Sequence, residues 1–251
     1  MKTIALFIPC YIDTIYPNVA EATYKLLKSL DFNVKYPQNQ TCCGQVFANS
    51  GFKEQTTTLA KNFIDIFKNY DYIVAPSASC VNMVKNHYQE YLPYSNDLKK
   101  IQDSTFEICE FLYDIVQLKS LDVKFYHKVG FHQSCHGLRE LNLATPSELI
   151  KPYYSKPKAL LEMVEGIELV ELKRPDECCG FGGTFSINEP ELSIQMGLDR
   201  IDDHLNAGAE YIVGYDSSCL MHMQGIIKAN QKQIKIVHIV EILAGELNEQ
   251  P

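Results

Sequence analysis

A chain of 251 residues, 46% apolar and 22% charged, has a globular composition and enough length for two cores of ordinary domain size. Its net charge of −8, with no basic cluster beyond a pair or triplet, argues against a nucleic-acid partner or an anionic membrane surface. No run approaches the ~20 apolar residues that cross a bilayer, so the chain is not expected to span a membrane.

Residues 3–8 form a continuous apolar run, the pattern of a strand buried on both faces. Lys2 before it imitates a secretion signal, but the run is short and has no small-residue cleavage site. An internal counterpart also appears at residues 128–135. The expected compartment is therefore the cytoplasm, where disulfides rarely persist and nine cysteines point to metal or catalysis. Apolar positions Val19, Ala22, Leu26, Leu27 and Leu30 predict a helix over 18–30. A short strand over 33–36, a helix over 54–67 and a strand over 72–75 follow, and Pro76 stops that strand before a helix opens at Cys80.

Residues 91–125 have no evident counterpart later in the chain. Their 106–118 stretch reads as a bridging helix, with Cys109 at a periodic apolar position as a core thiol. The second half repeats the plan: strand 128–132, helix near 156–163, strand 168–172, helix near 189–205 and strand 211–213. Strand 233–237 and helix 238–247 close it. The expected fold is α/β, with two pseudo-repeated domains, each a small parallel sheet flanked by helices. The divisions fall at 1–92, a helical connector 93–127, and 128–251.

Eight cysteines fall into two matched sets: Cys10, Cys42, Cys43 and Cys80, then Cys135, Cys178, Cys179 and Cys219. Each set runs Cys, Cys-Cys-Gly, Cys. The flanks also repeat, since Asp71-Tyr-Ile-Val-Ala-Pro-Ser-Ala-Ser-Cys80 matches Glu210-Tyr-Ile-Val-Gly-Tyr-Asp-Ser-Ser-Cys219. Every cysteine lies where a strand or turn gives way to a helix, at the carboxyl edge of a parallel sheet where ligands gather. Four thiolates suit either a [4Fe–4S] cluster or tetrahedral zinc. The first set is expected to hold a [4Fe–4S] cluster, the second a [4Fe–4S] cluster or zinc. Gly44 and Gly180-Phe-Gly-Gly183 would let backbone N–H groups approach sulfur.

These motifs, with Cys178-Cys-Gly-Phe-Gly-Gly-Thr-Phe185, Ser218-Cys-Leu-Met-His222 and Val237-His-Ile-Val-Glu-Ile-Leu243, resemble a known cysteine-rich domain. Heterodisulfide reductase and the iron–sulfur component of glycolate oxidase carry it. Over nearly the whole chain the resemblance is to the lactate utilisation protein A family. It implies an iron–sulfur electron-transfer subunit of a three-component complex that oxidises L-lactate to pyruvate, passing electrons to an acceptor the sequence does not name. In the heterodisulfide reductase relatives the last cysteine of each motif belongs to a Cys-x-x-Cys. Here Ser77 and Met83 flank Cys80, and Asp216 and His222 flank Cys219. Those replacements count against five-ligand clusters and against a heterodisulfide-reductase-like thiol/disulfide oxidoreductase. A zinc-stabilised scaffold subunit is the other alternative.

Histidines and one arginine leave further options. His222 is either a fifth ligand or a hydrogen-bonding loop residue. His132, His136 and Arg139 form either a small anion site or a set that hydrogen-bonds metal-bound sulfur or orients a subunit interface. No Gly-x-Gly-x-x-Gly fingerprint for flavin or nicotinamide is present, which places hydride handling on a partner.

Overall fold

The computed structural model describes residues 2–247. Residues 1 and 248–251, the extreme ends of the first and last expected segments, lie outside the described residues. Two four-stranded sheets are built, both entirely parallel. The first orders its strands β2-β1-β3-β4, from β1 (Thr3–Leu6), β2 (Asn33–Lys35), β3 (Tyr72–Ala75) and β4 (Thr105–Glu107). The second orders them β6-β5-β7-β8, from β5 (Lys128–His132), β6 (Glu168–Leu169), β7 (Tyr211–Gly214) and β8 (Lys235–His238). The two orders are the same, so the duplication extends to all four strands.

The connector is where the sequence reading needs correcting. Residues 105–107, expected outside any sheet or at the head of a helix, pair in parallel with β3 as β8 pairs with β7. The helical turns begin only at Ile108, with the Glu107 carboxyl group accepting the N–H groups of Cys109 and Glu110. Phe106, Cys109, Leu112, Tyr113 and Val116 recur at helical spacing, and a three-residue strand is too short to interrupt that pattern. His238 occupies the matching place after β8 and caps helix Ile239–Leu243 through Nδ1. Within residues 91–125, the strand 105–107 and the helical turn after it therefore do have a counterpart, in β8 and helix Ile239–Leu243. Strand 168–172 is shorter than expected, reduced to Glu168–Leu169 in the ladder.

Helix faces fix how the halves meet. Helix Pro17–Ser29 starts on a proline, whose missing N–H costs nothing in the first turn, and buries Val19, Ala22, Leu26 and Leu27. It packs on Ile239–Leu243 of the other half. Reciprocally, Lys156–Leu161 of the second half packs on Ile108–Glu110 of the first. Each junction carries a polar tie: Asn18 donates to Glu241, and Lys156 to Asp114. One apolar core runs through Ile4, Phe7, Phe63, Ile108, Phe131 and Ile239, crossing from half to half. Cys109 lies fully buried in it. Among the described residues no helix is long and apolar enough to cross a membrane.

Candidate metal centre

Each cysteine is delivered by the turn that follows a strand. After β1, Pro9 ends the extended chain and Cys10 opens helix Cys10–Ile15. After β3, Ser77 caps helix Ala78–Asn82, which carries Cys80. The second half does the same with Cys135 after β5 and Cys219 after β7, Asp216 capping helix Ser217–Ala229. The cysteine pairs lie in tight turns closed by glycine. Gly44 at φ 90° and Gly180 at φ 86° adopt a left-handed conformation that side chains rarely tolerate. That turn points the Gly44 N–H at Cys42 Sγ, and the Gly180 N–H at Cys178 Sγ, each 3.4 Å away.

Sulfur groups close in on one another within each set. Cys10 Sγ lies 3.8 Å from Cys42 Sγ. The Cys10 and Cys43 thiols, together with the Gly44 N–H, hold Cys42 well below the usual thiol range. Cys178 is lowered in the same way by Cys135, Cys179 and the Gly180 N–H. Hydrogen bonding to these anions, together with burial, pushes Cys10, Cys43, Cys135 and Cys179 upward. In each set the neighbouring thiols and the glycine N–H favour the thiolate form of the first cysteine of the pair, Cys42 or Cys178. Thiolates are what metals bind, so the donor chemistry fits a soft metal or an iron–sulfur cluster.

The two sets are not separate pockets. All eight cysteines line a single cavity of about 880 Å³, bounded also by Tyr11, Gln45, Asn49, His136 and Phe181. Cross-half contacts hold the two rims together. Asp216 Oδ2 accepts the N–H of Ser79, beside Cys80, at 2.7 Å. The Ser50 and Thr184 hydroxyls lie 3.0 Å apart, and the Tyr11 and Phe181 rings meet edge to face. Asp216 stands where the Cys-x-x-Cys pattern would place a cysteine. Its carboxylate links the helix start of one set to that of the other, a role its sequence position did not reveal.

The histidines and Arg139 separate clearly. His132 is buried, and a ring nitrogen lies within 4.8 Å of the Cys179 and Cys219 sulfurs. Burial and the nearby Arg200 push its imidazole down to about 3, so it is neutral. His136 lines the cavity, its Nε2 3.3 Å from Gln45 Nε2 and its Nδ1 3.8 Å from Cys135 Sγ. Arg139 points elsewhere, forked onto Glu148 at 2.7 and 3.2 Å, and is not available for an anion in the cavity. His222 turns its Nε2 to the Ser193 carbonyl at 3.2 Å and is absent from the cavity wall. Arg200, fully buried beside His132, was missed because a lone arginine within a polar helix reads as solvated.

A doubled parallel sheet with cysteine-lined carboxyl edges defines a two-copy cysteine-rich domain protein. The cysteine-rich domain family matches residues 4–85 and 129–224, one match per half. The chain is 38% identical over 248 residues to lactate utilization protein A of Exiguobacterium sp., covering 97% of each chain. It is 37% identical to the protein of the same name from Macrococcus caseolyticus, again over 97% of each. Lactate utilization protein A 1 of Bacillus mycoides is 36% identical over 96% of each. The chain belongs to the lactate utilization protein A family. Among solved structures, a hypothetical protein from Helicobacter pylori matches the whole chain at a TM-score of 0.64 and 9% identity, a likeness of fold. The chain spans 50% of that protein's length.

Proposed function

We propose that this chain is a metal-bearing electron-transfer component of a system that oxidises L-lactate to pyruvate. Convergence of both cysteine sets on one cavity of about 880 Å³ is the observation that carries the reading. Cys10, Cys42, Cys43 and Cys80 hold a [4Fe–4S] cluster, and Cys135, Cys178, Cys179 and Cys219 hold a second cluster or zinc. Such a cluster exchanges single electrons. The chain's own residues supply the rest. Gly44 and Gly180 aim N–H groups at sulfur, Tyr11 and Phe181 wall the cavity, and Asp216 fixes the distance between the two cysteine-bearing helix starts. The membership of relatives named for lactate utilization supports the substrate, and the remaining components of the complex supply the hydride-accepting chemistry.

Anaerobic purification with iron, sulfide and zinc analysis, and EPR of the reduced protein, tests the reading. The expected result is about four iron and four sulfide per filled site. Zinc with no acid-labile sulfide would end the electron-transfer reading and leave a zinc-stabilised scaffold.

A further inference from the structure

The two halves differ behind their sulfur sets. Strand register makes the correspondence explicit: Ile4 pairs with Tyr72 in β1 as Val129 pairs with Tyr211 in β5, so Phe7 and His132 stand in the same place. In the first half Phe7 meets Phe63 edge to face, 5.0 Å between centroids. In the second, His132 meets Arg200, from the helix that follows the second cysteine pair. An apolar pair in one half is a polar pair in the other.

That polar pair has only one consistent protonation. Arg200 Nε–H donates to His132 Nδ1 at 3.2 Å. A guanidinium has no acceptor, so Nδ1 carries no hydrogen and the neutral ring carries its proton on Nε2. Arg200 is itself held by the Asp203 carboxylate at 3.1 Å, and Asp203 is fixed by the backbone N–H groups of Lys173 and Arg174. The other tautomer would set an Nδ1–H against the Arg200 Nε–H and lose this buried hydrogen bond, from a guanidinium that Asp203 holds in place. His132 Nε2 has no hydrogen-bond partner among the described residues although it is buried. A buried N–H left unpaired costs free energy, and sulfur is the acceptor class beside this ring: one of its nitrogens and the Cys179 and Cys219 sulfurs all lie within 4.8 Å of one another.

We infer that His132, locked by Arg200, donates its Nε2–H to sulfur of the second cysteine set and is not a metal ligand there. Arg200 is the positioning residue. An N–H donor at sulfur stabilises the more negative, reduced state of a centre and raises its reduction potential. Phe7 offers no such donor to the first set. The second centre is accordingly the easier of the two to reduce, and an electron held between them rests on the second half. The inference about potential rests on the iron–sulfur reading of the second site; the tautomer of His132 does not.

The test is an EPR-monitored redox titration of the full chain, purified anaerobically, with His132→Phe and His132→Gln beside it. Phenylalanine is the residue the first half carries here, and glutamine restores a neutral N–H donor. In H132F the second midpoint potential falls, the first stays in place and the iron and sulfide contents hold; H132Q recovers most of the shift. A second midpoint that does not move in H132F overturns the inference, as does loss of iron from the second site in both variants, which would make His132 a ligand. If the second site carries zinc, its cluster assignment fails on its own. His132 is then read in the zinc-loaded protein by long-range proton–nitrogen NMR of the imidazole. A protonated Nε2 upholds the inference and a metal-bound Nε2 overturns it.

Discussion

The first half of the molecule supports its cysteines with aromatic rings, the second with a buried polar chain. Phe7, Phe63 and Phe67 stack together behind Cys10 and the Cys42-Cys43 turn, and the Tyr88 hydroxyl donates to the Cys43 carbonyl at 3.0 Å. Behind Cys135, His132, Arg200 and Asp203 form a hydrogen-bonded line, with His204 close by against Gly130. Strand order and glycine turns are shared, so the scaffold tolerates either lining. Sulfur placement is thus set by the backbone, while the lining sets what surrounds the sulfur.

The largest expected effect is on the aromatic side. Phe63→Ala should cost about 3–5 kcal/mol in urea unfolding, because Phe63 is buried against Phe7, Phe67 and Tyr88. A cost under about 1 kcal/mol would mean that the first half does not depend on its aromatic slab.

The helix caps after β4 and β8 offer a second contrast, in pH dependence. Burial raises Glu107 from 4.5 to about 8, and burial lowers His238 from 6.5 to about 4, so each cap is neutral in the folded chain. Unfolding frees Glu107 to ionise above its ordinary value, so its contribution to stability falls as pH rises from about 4.5 to 8. His238 works in the opposite sense: the unfolded imidazole takes a proton below 6.5, and its contribution is lost as pH falls towards about 4. Glu107→Gln should flatten the alkaline limb of the stability profile by a few kcal/mol, and His238→Asn the acid limb. Unfolding measured across this range reads both; an alkaline limb unchanged in E107Q would show that Glu107 is ionised in the fold.

Smaller, and local to the sites, is the difference between the two glycine turns. Gly44→Ala meets only ordinary contacts and should cost the left-handed strain alone, about 1–2 kcal/mol. Gly180→Ala places a Cβ 2.6 Å from the Ser193 carbonyl oxygen and should cost more, with metal lost from the second site before the first. Equal metal loss from both sites would contradict that asymmetry. The smallest effect belongs to Arg139→Ala. Its partly exposed pair with Glu148 is worth at most about 1 kcal/mol, and metal content should match the unmodified chain.

The cysteine repeat was legible because its anchors are nearly identical strings, Tyr-Ile-Val before a Ser-Cys. Four-stranded sheets were only three-quarters legible in the first half, since Thr105-Phe-Glu107 is a strand three residues long embedded in helical spacing. That the sets share one cavity was not legible at all. Sequence places each set at the edge of its own sheet, but which way the edges face follows from helix faces meeting across the halves. The His132–Arg200 pair was half visible: the histidine stood out beside Cys135, while the arginine is separated from it by 68 positions.

The reciprocal packing of Pro17–Ser29 on Ile239–Leu243, and of Lys156–Leu161 on Ile108–Glu110, has a consequence for descent. Each half lends a helix to the other and receives one in the same place, which is the geometry of an isologous dimer written into a single chain. A polypeptide of half the length would carry a self-complementary face and could close the same cavity with a second molecule of itself across a true two-fold axis. A symmetric pair must carry two phenylalanines or two histidines at this place, whereas the single chain carries Phe7 in one half and His132 in the other.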